Sequence, residues 1–136
     1  MNTHEELFVK NFVVKQKRER YLEFLAKEKT RDKITWDFRH CGDLEEKYKT
    51  QVPVNQQNAK DVYKILKEKN APDKCYILSY HDEVDGKEMS LKKVLEETIF
   101  YIPFTHTGTF ISCIAGKLVF YSSEDLNGRF ILEKND

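Results

Sequence analysis

The residues between Tyr101 and Gly116, YIPFTHTGTFISCIAG, gather a histidine, threonines, a serine and a cysteine within one short stretch. The chemistry such a set suggests is nucleophilic. An imidazole within hydrogen-bond reach of a thiol stabilises the thiolate, which is the reactive form. Spacing argues against it here. His106 and Cys113 are seven positions apart, an odd number, so in one regular strand they point to opposite faces. Thr107, Thr109, Ile111 and Cys113 then share one face, and His106, Gly108, Phe110, Ser112 and Ile114 the other. Pro103 and Gly108 are the residues that could interrupt the strand and reunite the pair. The sequence therefore places Cys113 as a small buried apolar side chain and His106 in a loop or at the start of a strand.

Two other clusters carry titratable groups. In HDEVDG, His81 to Gly86, acids alternate before a glycine, as in a calcium loop. With Gly86 at the sixth position of such a loop, however, Lys92 takes the twelfth, where a bidentate carboxylate is required. The segment reads instead as a solvated turn between a strand and a helix. In HCGDLEE, His40 to Glu46, a histidine and a cysteine follow a helix end, where His40 is suited to the negative pole of the helix dipole. No zinc spacing, glycine-rich nucleotide loop, serine elbow or HExxH pair occurs, so no metal and no cofactor is expected. Should the chain be an enzyme, its candidates are His81, His106 and Cys113, with His40 a weaker fourth.

Charge directs attention to the first forty residues. The whole chain balances 23 basic against 23 acidic side chains, so no global field draws nucleic acid or an anionic membrane. Between Val9 and Arg39, however, ten Lys and Arg face five acids. Lys15, Lys17 and Arg18 could contact phosphates from one helix face, although interspersed acids dilute the patch and binders of nucleic acid usually have a basic domain. The same region has a wide apolar stripe. Phe8, Phe12 and Trp36, with Lys15, Lys17 and Arg18, make a candidate interaction surface for an unidentified protein partner or a second copy of the chain.

The elements that must position these residues follow from periodicity. His4 to Lys29 lacks Gly and Pro and repeats apolar residues at helical spacing, which predicts a long helix with a break near Lys15 to Arg20. Thr30 is the expected cap of a second helix carrying Ile34 and Phe38 and ended by Gly42. Asp43 to Asn55 shows no period and is expected as a surface connection. Asn58 caps a third helix with Ala59, Val62, Tyr63 and Leu66 inward, stopped by Asn70 and Pro72. Lys74 to Tyr80 is a strand, and Ser90, with Met89 as a staple to Val94, opens a fourth helix. Thr109 to Ile114, Lys117 to Ser122 and Arg129 to Glu133 form a meander turned at Ala115-Gly116 and Asn127-Gly128. The strand at Lys74 could pair parallel to one of these through a crossover.

At 136 residues, 40% of them apolar and 34% charged, the chain suffices for one core and one domain, helical over about 4–70 and strand-helix-meander over about 74–133. Three unpaired cysteines and no apolar leader point to a reducing, cytoplasmic setting, and no run is long enough for a membrane span. The expected fold class is α+β, with N-terminal helices packed on a small, mainly antiparallel C-terminal sheet of about four strands. The expected function is a non-enzymatic protein-interaction or regulatory module. A small His/Cys enzyme is the alternative, and nucleic-acid binding the third option.

Overall fold

The computed structural model describes residues 1–102 and 105–135. Three short helices open the chain: α1 (Thr3–Phe12), α2 (Arg18–Leu25) and α3 (Glu28–Thr35), the last continued by a 3-10 turn, Trp36–Arg39. Asn2 caps α1 through its side chain on the His4 amide. The break expected near Lys15 to Arg20 begins earlier, at Val13, which is extended and bridges to Leu44, while Val14 N donates to Asp43 O and Glu45 N to Phe12 O. A passing segment captures the backbone there, so the helix stops for a tertiary reason. Thr30 is not a cap. It lies inside α3 and donates its hydroxyl to Phe24 O and Lys27 O.

The sheet has six strands, β1 (Lys49–Gln51), β2 (Lys74–Ser79), β3 (Glu88–Ser90), β4 (Thr109–Ile114), β5 (Leu118–Ser122) and β6 (Arg129–Glu133), in the order β1-β6-β5-β4-β2-β3. Every pairing is antiparallel, including β2 with β4. This corrects the parallel crossover. It also corrects the count of about four strands, because two three-residue edge strands, β1 and β3, lie in segments assigned to a connection and to a cap.

Helices cover both faces, where one was expected. On one face α1, α2 and α3 bury Phe8, Phe12, Tyr21, Leu25 and Ile34 against Leu78, Phe110, Val119, Tyr121 and Leu132. On the other lie α4 (Ala59–Glu68) and α5 (Leu91–Val94), the latter continued by a π turn, Leu95–Ile99. They pack Val62, Leu66, Leu91, Val94 and Leu95 against Ile77, Ile111, Leu118, Phe120 and Ile131. Alternation along each strand sorts the two cores, as a pleated sheet buried on both sides requires. The molecule is thus an α+β fold of three layers. No described helix is long and apolar enough to cross a membrane.

Candidate functional site

Polar and exposed aromatic side chains concentrate at one end of the sheet, where β2 and β5 finish and β4 and β6 begin. The 3-10 turn after α3 meets this end. Arg39 lies with its guanidinium carbon 3.6 Å above the Trp36 ring, and Trp36 stands edge-on to Tyr80 at 5.4 Å. Tyr80 meets His81 at 5.3 Å, and His81 meets His106 at 5.2 Å. The result is a continuous ladder of four rings and one guanidinium. Gly108 permits the close approach: its φ is +75°, and a Cβ there would sit 3.3 Å from Arg39 Cα and from Tyr80 Cβ.

Hydrogen bonds fix the imidazoles. His81 Nε2 lies 2.8 Å from Thr107 O, an acceptor only, so this nitrogen donates. His106 Nε2 is 3.0 Å from Glu83 Oε1, and its Nδ1 is 3.2 Å from Thr105 Oγ1. The Glu83 carboxyl is held below its ordinary range by its own backbone amide and by His106. His40 joins the same end through Asp125, at 2.8 Å, and Glu124, at 3.3 Å.

Beneath the ladder a polar row crosses the sheet. Strand register pairs Ser79 with Thr109, Thr109 with Ser122, and Ser122 with Arg129, so one residue from each of β2, β4, β5 and β6 falls in line on the α4/α5 face. All four are buried. Ser79 Oγ and Thr109 Oγ1 are 2.7 Å apart, and Ser79 Oγ also accepts from His81 N. The far half of the row is unsatisfied: Ser122 Oγ and Arg129 Nε have no hydrogen-bond partner among the described residues. A second arginine provides the contrast. Arg31 uses all five donors, on both oxygens of Glu5, both of Asp85 and Leu25 O, at 2.7 to 3.2 Å. Burial would lower its pKa, but Asp85 and Glu5 outweigh burial and raise it. Tyr76 completes this knot with a short hydroxyl contact to Glu5. The Glu5–Arg31–Asp85 group thus pins α1, α3 and the β2–β3 turn together.

The sequence candidates are distributed as follows. His81 and His106 are neighbours, and His40 lies at the same end of the molecule. Cys113 is away from them in the α4/α5 core, 2% exposed, with its thiol directed at Ile111 O. Burial pushes all three thiols up, Cys41 to about 11, Cys75 to about 12 and Cys113 further. Phe8 and Phe12 are wholly buried and belong to the core, so the candidate interaction surface loses its two phenylalanines and keeps Trp36. Lys15 and Lys17 are exposed on a 3-10 turn, whereas Arg18 turns back to donate to Val13 O. The basic residues therefore do not share one continuous helix face. Among the described residues no group of three or more His, Cys, Asp or Glu is placed to hold a metal.

Sequence reasoning missed Arg39, Tyr80 and the whole polar row. The row was accessible in principle, because the hairpin turns at Gly116 and Asn127-Gly128 set which residues of β4, β5 and β6 face one another. No family model matches the chain, and no curated protein or solved structure matches it significantly.

Proposed function

We propose that the protein is a non-enzymatic binding module that engages a protein partner through the end of the sheet built around Trp36, Arg39 and Tyr80. One observation carries this. Of the six large apolar residues left exposed among those described, Trp36, Val54, Tyr101, Ile102 and Leu126 all belong to connections at this end, and only Met1 does not. Leu126 is 82% and Tyr101 71% exposed. Aromatic and arginine side chains surrounded by polar groups are what the energetic centre of an interface requires, and His40, Glu83, Glu124 and Asp125 supply such a rim. The stacked Arg39 holds Trp36 in place, so little side-chain freedom is lost on docking.

The enzyme alternative has less support. The hydroxyl beside the neighbouring histidines, Thr105 Oγ1, donates its proton to Ile102 O, and the buried thiols carry little thiolate at neutral pH. Nucleic-acid binding has less support, because Arg18 turns its Nε to Val13 O and does not extend the exposed pair Lys15 and Lys17.

Affinity capture on the tagged protein tests the assignment, read by protein stain and by the ratio of absorbance at 260 and 280 nm. A stoichiometric protein should be retained by the wild type and by Lys15→Glu/Lys17→Glu, and lost from Trp36→Ala/Leu126→Ser. Retention by both variants alike, retention of nucleic acid instead, or the absence of any retained protein would each overturn the proposal. Trp36 is the only tryptophan, so its emission reports directly on contact with the purified partner.

A further inference from the structure

The geometry points to a binding site for a small organic carboxylate in the cavity beside Arg129, on the α4/α5 side of the same end of the sheet. This cavity has a volume of about 420 Å³ and is lined by Gln57, Asn58, Ala59, Glu96, Ile99, Phe100 and Arg129. Arg129 is 7% exposed, yet its side chain makes one hydrogen bond among the described residues, from Nη1 to Ser123 O at 3.5 Å. Its Nε has no partner there, and no carboxylate of the described residues lies within ion-pair distance. A buried guanidinium in this condition is costly unless an anion completes it, and its planar fork fits the two oxygens of a carboxylate. Arg31 in the same molecule shows what completion looks like.

The start of the ten-residue helix α4 also lines the cavity. Asn58 Oδ1 takes the Asp61 amide and Asn58 O the Val62 amide, leaving the amides of Ala59 and Lys60 as the free donors at the positive pole. Ala59, Ile99 and Phe100 form the apolar part of the lining. Phe100 has its ring centroid 5.9 Å from the Arg129 guanidinium carbon, and Ile99 and Ala59 continue that surface. An acid group carrying an aromatic or aliphatic body matches this division. Gln57 is already committed, donating to Val52 O and Asn127 O, and so frames the site.

Two acids restrict the charge of the ligand. Glu96 lines the cavity and is exposed, and Asp61 lies in the first turn of α4, bonded to Asn58 Nδ2. Their repulsion grows with each negative charge on the guest, which favours a monoanion over a phosphate dianion. An adjoining cleft of about 350 Å³ shares Ala59 and Glu96 and adds Lys60 and Lys92, so cations line the approach.

Titration of the ¹⁵N-labelled protein with benzoate, at constant ionic strength held with sodium chloride, tests the site. The Arg129 Nε–H resonance and the amides of Ala59 and Lys60 should move together and saturate, with a dissociation constant below about 10 mM. Phenyl phosphate should bind more weakly. Arg129→Gln should weaken benzoate at least about tenfold, and Glu96→Gln should tighten both ligands by about threefold or more. The assignment is overturned if those resonances do not saturate, if chloride alone reproduces their movement, or if Arg129→Gln binds as the wild type does. Should Arg129→Gln fail to fold, Glu96→Gln decides: unchanged affinity for both ligands removes Glu96, and with it the site, from the cavity.

Discussion

A guanidinium withdrawn from water needs partners for its charge and for five N–H groups, and Arg31 finds all of them in Glu5, Asp85 and Leu25 O. Removing it strands the Glu5 carboxylate, which is 3% exposed. Arg31→Ala is expected to cost roughly 3–5 kcal/mol, measured by urea denaturation. His4 provides a pH dependence. It stacks on Tyr76, contacts Ser112 Oγ at 2.7 Å, and has its pKa lowered from 6.5 by burial, which Glu88 only partly offsets. The folded chain therefore binds this proton less readily than the unfolded chain. Its stability is undiminished above pH 6.5 and falls as the pH drops from there toward the lower folded-state value. Denaturant midpoints at pH 7.5 and 5.5 should differ less in His4→Gln than in the wild type. None of the three thiols should react with Ellman's reagent at neutral pH until the protein unfolds, because all are buried. The arginine knot was not visible in the sequence, since Glu5, Arg31 and Asp85 are joined only by tertiary structure. His81 and His106 were both marked as candidates, but parity spoke only to residues of one strand. Their meeting depends on β2 lying beside β4.

Elements were most legible where local signals agreed with the final packing. In α4 the inward residues, the Asn58 cap and the stop at Asn70 fall where the period and the turn residues put them, and Asn58 Oδ1 accepts from Asp61 N at 2.8 Å. Asn58→Ala should cost about 1 kcal/mol. Asn70 adopts φ +71° just past the helix, so Asn70→Gly should be neutral or stabilising by a few tenths of a kcal/mol, while Asn70→Ala destabilises. Thermal melts of the three variants check both statements. Elements were illegible where tertiary pairing overrode or replaced local preference. Lys49–Gln51 has neither alternation nor β-branched enrichment beyond Thr50, and it is a strand because β6 offers an unpaired edge. Met89, expected as a staple residue before the Ser90 cap, also pairs with Cys75 across β2 and β3, and it packs against the core that holds Val94.

At the scale of the molecule, composition gave the class and strand alternation gave the inner and outer residues, but neither showed that one sheet would carry helices on both sides. The decisive fact is that the strands are apolar on both faces, as in Cys75, Ile77 and Tyr76, Leu78, so each face needs a cover. Two cores separated by a sheet should respond independently. Ile34→Val, between the N-terminal helices and the sheet, is expected to cost about 0.5–1.5 kcal/mol and Leu66→Ala, on the other side, about 2–5. The double variant should equal the sum within about 0.5 kcal/mol by chemical denaturation. The pairing of β1 with β6 also governs how the chain can be made. Phe8 of α1 has its ring 4.6 Å from Phe110, and Lys49–Gln51 finds its partner only in Arg129–Glu133. During synthesis the earliest helices therefore emerge from the ribosome with no surface to cover. Their aromatic faces stay uncovered until β4 and β5, which carry Phe110 and Tyr121, have followed, and the β1 edge closes only with β6.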